Sequence, residues 1–148
     1  MGSKATGGVI LHVEDDESQR EALAALLGVA SFEVHQAADG AAVRPLARRL
    51  RDRLDVLIVD YHLGNGSGHA GSGTDVAEEL SALLGYAVPT IMLTGDVANC
   101  EVPILAHAPV WVARKPLDPQ VLLAGLPALV QFRRQVSAAR GEESPSVD

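Results

Sequence analysis

Three short apolar runs each end at acidic or hydroxyl residues. Val9-Ile10-Leu11-His12-Val13 runs into Glu14, Asp15 and Asp16. The run from Leu54 to Val59 ends at Asp60, and Thr90-Ile91-Met92-Leu93 ends at Thr94, Gly95 and Asp96. Short runs rich in β-branched and aliphatic residues, closed by polar residues or glycine, read as strands buried on both faces of a parallel sheet. A fourth run, Val110-Trp111-Val112-Ala113, leads into Arg114, Lys115 and Pro116. A fifth, over 32–36, is partly polar, as an edge strand would be.

Helical periodicity separates these runs. Residues 18–27 place Ala22, Leu23, Leu26 and Leu27 on one face, with Glu17 favourably near the helix start. Residues 41–53 place Val43, Leu46, Ala47 and Leu50 opposite a row of arginines. Residues 74–84 open with Thr74 as the expected N-cap, and Ala77 three positions on gives no capping box. Residues 118–134 open with Asp118 as N-cap and Pro119 at the first helical position, a strong start signal. The stretch 97–107 is the weakest helix, because Pro103 and Pro109 interrupt it. Strand and helix alternate five times, which predicts a parallel sheet with helices on both faces. Glycines at 64, 66, 68, 71 and 73 lie between the third strand and third helix, a stretch able to approach a ligand closely.

Composition narrows the function classes. With 148 residues, 47% apolar and 21% charged, the chain makes one globular domain and leaves no length for a second folded one. A net charge of −7 gives no overall basic field for nucleic acid, and the run of Arg44, Arg48, Arg49, Arg51 and Arg53, five of the 12 basic residues, reads as a solvated helix face. Cys100 is the single cysteine, so neither a disulfide framework nor a cysteine zinc site is available, and a reducing cytoplasm fits. Apolar runs fall short of the roughly 18 residues that suggest a membrane span, so no membrane insertion is expected. Residues 1–8 read as a leader, 9–136 as the domain and 137–148 as a flexible tail.

In open α/β sheets the ligand site lies at the carboxyl ends of the strands. There the predicted strands bring together Glu14, Asp15 and Asp16, then Asp60, Thr94 and Lys115. Taken singly, each is as readily a cap, a turn or a surface residue. Taken together they are chemically coherent. Clustered carboxylates repel one another, and a hard divalent cation such as Mg²⁺ (or Mn²⁺) with oxygen ligands relieves the repulsion. A strand-end carboxylate can attack a phosphoryl group to give an aspartyl phosphate. The lysine ammonium and threonine hydroxyl can stabilise charge on the transferring oxygens.

Val13-Glu14-Asp15-Asp16, Val59-Asp60-Tyr61-His62-Leu63, Met92-Leu93-Thr94-Gly95-Asp96 and Arg114-Lys115-Pro116-Leu117 resemble the four landmarks of receiver (response-regulator) domains, in the family's order. The resemblance covers roughly residues 9–135 and implies a flavodoxin-like five-stranded parallel sheet of order 2-1-3-4-5. It implies that Asp60 accepts a phosphoryl group from a histidine kinase or a histidine phosphotransfer protein. It implies that Glu14, Asp15, Asp60 and the main-chain carbonyl of His62 hold Mg²⁺, that Thr94 and Lys115 meet the phosphoryl group, and that the Lys115–Pro116 bond is cis. The wording of the motifs is most similar to receivers of hybrid sensor kinases, and a stand-alone regulator stays open.

The chain also departs from the family pattern. Many receivers carry an aromatic residue three positions before the lysine, where this chain has Val112. Trp111 is adjacent but should face the other side of the strand. The glycine-rich loop is also longer than the common form. Of the remaining residues, His12 is expected to be a satisfied core or edge histidine. His62 could overhang the phosphoryl site or contribute only its carbonyl, and His69 is expected in solvent. Asp96 could act at the site or cap a helix, Asp16 could orient Asp15 or cap the first helix, and Cys100 is expected to be inert. Two alternatives share parts of the pattern. A pseudo-receiver would bind partners without phosphorylation. A haloacid-dehalogenase-type phosphohydrolase would need an acid two positions after the nucleophile, where His62 stands.

Overall fold

The computed structural model describes residues 7–63, 72–102 and 108–143. Strand β1 (Gly8–Val13) is followed by helix α1 (Glu17–Val29), β2 (Phe32–Ala37) and α2 (Val43–Leu50). Then come β3 (Val56–Asp60), α3 (Gly73–Leu84), β4 (Thr90–Thr94), β5 (Val110–Arg114) and α4 (Pro119–Glu143). The five strands form one parallel sheet of order β2-β1-β3-β4-β5, the expected flavodoxin-like topology. β1, β3 and β4 are buried along their whole length, which is why they read as unbroken apolar runs. β2 is only half-buried, as its position at the sheet edge requires.

Side chains alternate across the sheet and split the core in two. Leu11, Val13, Leu57, Val59 and Met92 pack with Val43, Ala47 and Leu50 of α2 and Val76, Ala77 and Leu80 of α3. Ile10, Ile58, Ile91 and Leu93 pack on the other face with Leu27 of α1 and Leu122, Leu126 and Val130 of α4. Val112 joins the first cluster and Trp111 the second, so the two neighbours do point to opposite faces. Trp111 lies against Gly125 so closely that a Cβ there would meet the indole at 2.6 Å.

Several helix ends differ from expectation. α3 is capped by Ser72, not Thr74. Ser72 accepts from the Asp75 N–H while the Asp75 side chain accepts from the Ser72 N–H, a complete capping box. α2 stops at Leu50 and tightens into a 3-10 turn, Arg51–Arg53, because Arg51 leaves the helical region (φ 43°, ψ −118°). Ala22 is exposed, so α1 buries a narrower face, with Leu23 and Leu26 half-buried beside Leu27. α4 starts as expected, the Asp118 carboxylate accepting from the Gln120 N–H. It then continues to Glu143, into the segment expected as a tail. Ser137, Ala138, Ala139 and Arg140 present no residue that breaks a helix already begun. Between β4 and β5 the described residues contain only a 3-10 turn, Val97–Asn99. Residues 64–71, including His69 and four of the loop glycines, and residues 103–107, including Pro103, lie outside the described residues.

Candidate functional site

Because all five strands run parallel, β1, β3, β4 and β5 deliver their last residues to the same end of the sheet. Glu14, Asp15 and Asp60 each place a carboxylate oxygen within 4.8 Å of the other two. Glu14 and Asp60 are nearly buried, at 2% and 5% exposure, whereas Asp15 faces solvent. Lys115, just past β5, extends its ammonium to 3.0 Å from Asp60 Oδ1 and 3.5 Å from Glu14 Oε1. The peptide from Lys115 to Pro116 is cis. The backbone N–H of Lys115 donates to Thr94 O at 2.8 Å, which ties the lysine to the end of β4.

Burial sets the proton affinities. It raises the Glu14 carboxyl above its ordinary value, with the Asp16 N–H opposing and the Asp60 charge adding to the rise. It raises Asp60 as well, against the pull of Lys115. For Lys115, burial alone would weaken the hold on its proton, but the hydrogen bond and charge of Asp60, then of Glu14, outweigh it and hold the ammonium above the usual lysine value. Three carboxylates against one ammonium leave an excess negative charge in a partly desolvated hollow. This oxygen-only donor set suits a hard divalent cation.

Thr94 is fully buried, and its hydroxyl oxygen accepts from the Asp96 N–H at 3.0 Å. The threonine proton is therefore left for another acceptor. Asp96 precedes the 3-10 turn without capping it, and its carboxylate instead accepts from the Asn99 amide at 2.8 Å. Asp16 caps α1 by accepting from the Gln19 N–H. His62 is exposed, sits edge-on to the Tyr61 ring at 4.8 Å and forms an isolated antiparallel bridge with Ser72. A positive charge on this ring would lower the Asp60 proton affinity. Gly73 closes the floor beneath. Its N–H donates to Tyr61 O at 2.8 Å, and a Cβ at Gly73 would lie 2.5 Å from the backbone oxygen of Asp60. No side chain larger than hydrogen fits there.

Two residues that sequence reasoning passed over also serve the site. Gln19 Oε1 accepts from Lys115 Nζ at 3.0 Å, and Arg20 Nη1 donates to Glu14 O at 2.8 Å. Both lie in the first turn of α1, directly after the acidic cluster, and that adjacency was the available signal. Cys100 is half-buried, and burial together with Asp96 and Glu101 raises its thiol, leaving it a poor nucleophile. No helix among the described residues is long and apolar enough to cross a membrane.

The family model of the response regulator receiver domain matches residues 10–126. No curated protein matches the chain. Among solved structures, the receiver domain of the hybrid histidine kinase CckA is 27% identical, with TM-score 0.66, over 84% of this chain and 100% of that one. The Vibrio cholerae chemotaxis protein CheY4 is 25% identical, with TM-score 0.64, over 84% of this chain and 99% of that one. A receiver domain protein from Clostridium thermocellum shares the fold at 20% identity and TM-score 0.69, over 87% of this chain and 98% of that one.

Proposed function

Since the chain belongs to the response-regulator receiver family, the phosphoacceptor modules of two-component signalling, we propose that Asp60 is its phosphoacceptor. The reading rests on one observation above the others: a nearly buried strand-end carboxylate, 3.0 Å from a lysine ammonium and within 4.8 Å of two further carboxylates. In the reaction an Asp60 oxygen bonds to phosphorus as the bond from phosphorus to the donor imidazole breaks. The electron pair leaves with the imidazole and an acyl phosphate remains on Asp60.

Lys115 favours the ionised form of Asp60, opposing its burial, and can follow the charge onto the phosphoryl oxygens. Thr94 offers its hydroxyl proton to one of those oxygens, already oriented by the Asp96 N–H. Glu14, Asp15, Asp60 and the carbonyl of His62 would hold Mg²⁺ or Mn²⁺, which supplies charge neutralisation on the phosphoryl group. The donor is a phosphohistidine on a histidine kinase or a histidine phosphotransfer protein. The likeness to the receiver of the hybrid kinase CckA supports a hybrid-kinase relay. The module is read as cytoplasmic, where that donor is made, and as an acceptor that assists its own modification with no external substrate to turn over.

Incubation with acetyl phosphate and Mg²⁺, followed by intact mass under conditions that preserve acyl phosphates, tests the proposal. One phosphoryl group should add to the wild type and none to Asp60→Asn. An adduct that persists in Asp60→Asn, or no adduct on the wild type, overturns it.

A further inference from the structure

The end of the domain opposite Asp60 carries a feature that phosphorylation does not use. The 3-10 turn Arg51–Arg53 and the residues around Tyr86 precede the first residues of β3 and β4, so they sit a full strand length from the acidic cluster. In a chain of net charge −7, five arginines lie between residues 44 and 53. Two are neutralised: Arg44 by Glu79 at 2.6 Å and Arg53 by Glu33 at 3.0 Å. Arg48, Arg49 and Arg51 form no ion pair among the described residues and are exposed. One or two cations at a helix C-terminus are explained by the helix dipole. What borders them here is not.

Arg48 and Arg51 open onto a hollow of about 430 Å³ with Leu83, Leu84 and Tyr86 as its apolar side. Asp52 also lines it, which leaves one excess positive charge. Leu83 is 42% exposed at the end of α3. Arg51 is pinned in a backbone region that a glycine would occupy without strain. Its Nε donates to Arg48 O at 3.2 Å and its carbonyl accepts from the Tyr86 hydroxyl at 2.6 Å. Arg133, 4.0 Å over the Tyr86 ring, holds that ring in place and donates to Asp52 O. Strain is thus spent on presenting an arginine at the rim of an apolar hollow that a rigid aromatic closes.

We propose that this groove between the C-terminal ends of α2 and α3 docks an acidic amphipathic segment of a partner protein, with carboxylates on Arg48 and Arg51 and an aliphatic anchor against Leu83, Leu84 and Tyr86. The complementarity is of both kinds, charge on the α2 side and apolar surface on the α3 side. The surface is separate from the phosphorylated end, so one chain can meet a phosphodonor and a second partner together.

The test is fluorescence anisotropy of the full chain with a dye-labelled helical peptide of glutamate, leucine and alanine. Binding should weaken with salt. It should fall by about tenfold or more in Arg48→Gln combined with Arg51→Gln, and also in Leu83→Ser. Arg49→Gln, which does not border the hollow, should change it less than threefold (about 0.6 kcal/mol). Absence of binding overturns the proposal. So does equal binding of a peptide with glutamine for glutamate, or a loss in Arg49→Gln as large as in the paired variant. Tighter, arginine-dependent binding of a dye-labelled single-stranded oligonucleotide overturns the class of partner.

Discussion

His12 shows where residue-level reading succeeds and where it stops. Its place between Leu11 and Val13 correctly indicated burial, and it is 1% exposed. A hydrogen-bonded ring is the expectation for such a histidine, yet among the described residues neither ring nitrogen has a hydrogen-bond partner. Periodicity reports which side of a strand a residue occupies, not whether an acceptor waits there. Burial, then the charges of Arg20 and Lys115, lowers its pKa from 6.5 to about 4. The unfolded chain therefore takes up a proton below pH 6.5 that the folded chain refuses until about pH 4. Stability from this group is complete above pH 6.5 and is lost as pH falls through that window, by up to about 3 kcal/mol. Urea unfolding of the wild type and His12→Leu at pH 7.5 and pH 5 checks this. The variant should lose markedly less stability between the two. A parallel loss in both proteins would show that His12 does not titrate as argued. Gly73 is the second such residue. Its glycine is set by the backbone oxygen of Asp60, 2.5 Å from where a Cβ would lie. Gly73→Ala should cost about 1–3 kcal/mol and slow phosphorylation by acetyl phosphate, because the loop or the end of β3 must move. Unchanged stability and rate would mean the contact relaxes freely.

At the scale of elements, strands were more legible than helix ends. β1, β3 and β4 are buried on both sides, so their composition alone marks them. Helix ends depend on which of several polar residues wins the cap. Around Gly73 the sequence offers two hydroxyls, and Thr74 was the wrong choice. Its hydroxyl instead donates to the Glu101 carbonyl, while the Tyr61 hydroxyl accepts from the Glu101 N–H. Ser72 and Asp75 form the capping box. Ser72→Ala should destabilise the domain by about 1 kcal/mol. It should also raise amide exchange in the first turn of α3, which lies under Asp60 through Gly73. Protection unaltered in that turn would remove Ser72 as the organising cap. The end of α4 was misplaced for a different reason. Past Arg134 the sequence carries no regular apolar period to read, and Ser137 and Ala138 are exposed.

At the scale of the molecule, the acidic cluster exists only because parallel strands with non-sequential neighbours end together. The strand-end residues Glu14, Asp15, Asp60, Thr94 and Lys115 were legible because each closes an apolar run. Gln19 and Arg20 were not, since whether a first-turn helix residue turns towards the site depends on how α1 is rotated over the sheet. Assembly has a thermodynamic consequence. Glu14 and Asp60 both hold protons more tightly in the folded, metal-free chain than their ordinary values, because burial opposes their charge. Their ionisation at neutral pH therefore costs folding energy, and that cost is relieved as pH falls through their raised values. A divalent cation requires the ionised forms, so its stabilisation should run in the opposite sense. It should be greatest above those values and fade as pH drops through them. At ten times its dissociation constant, Mg²⁺ should add about 1.4 kcal/mol at pH 7.5, with progressively less as the carboxylates take up protons. Asp15→Asn should remove most of this gain, and in the metal-free chain it also removes the repulsion that Asp15 exerts on Asp60. Thermal melts in Mg²⁺ and in EDTA as pH is lowered decide it. A Mg²⁺ shift independent of pH, or one that survives Asp15→Asn intact, would mean the cation binds elsewhere and that the three carboxylates are not its site.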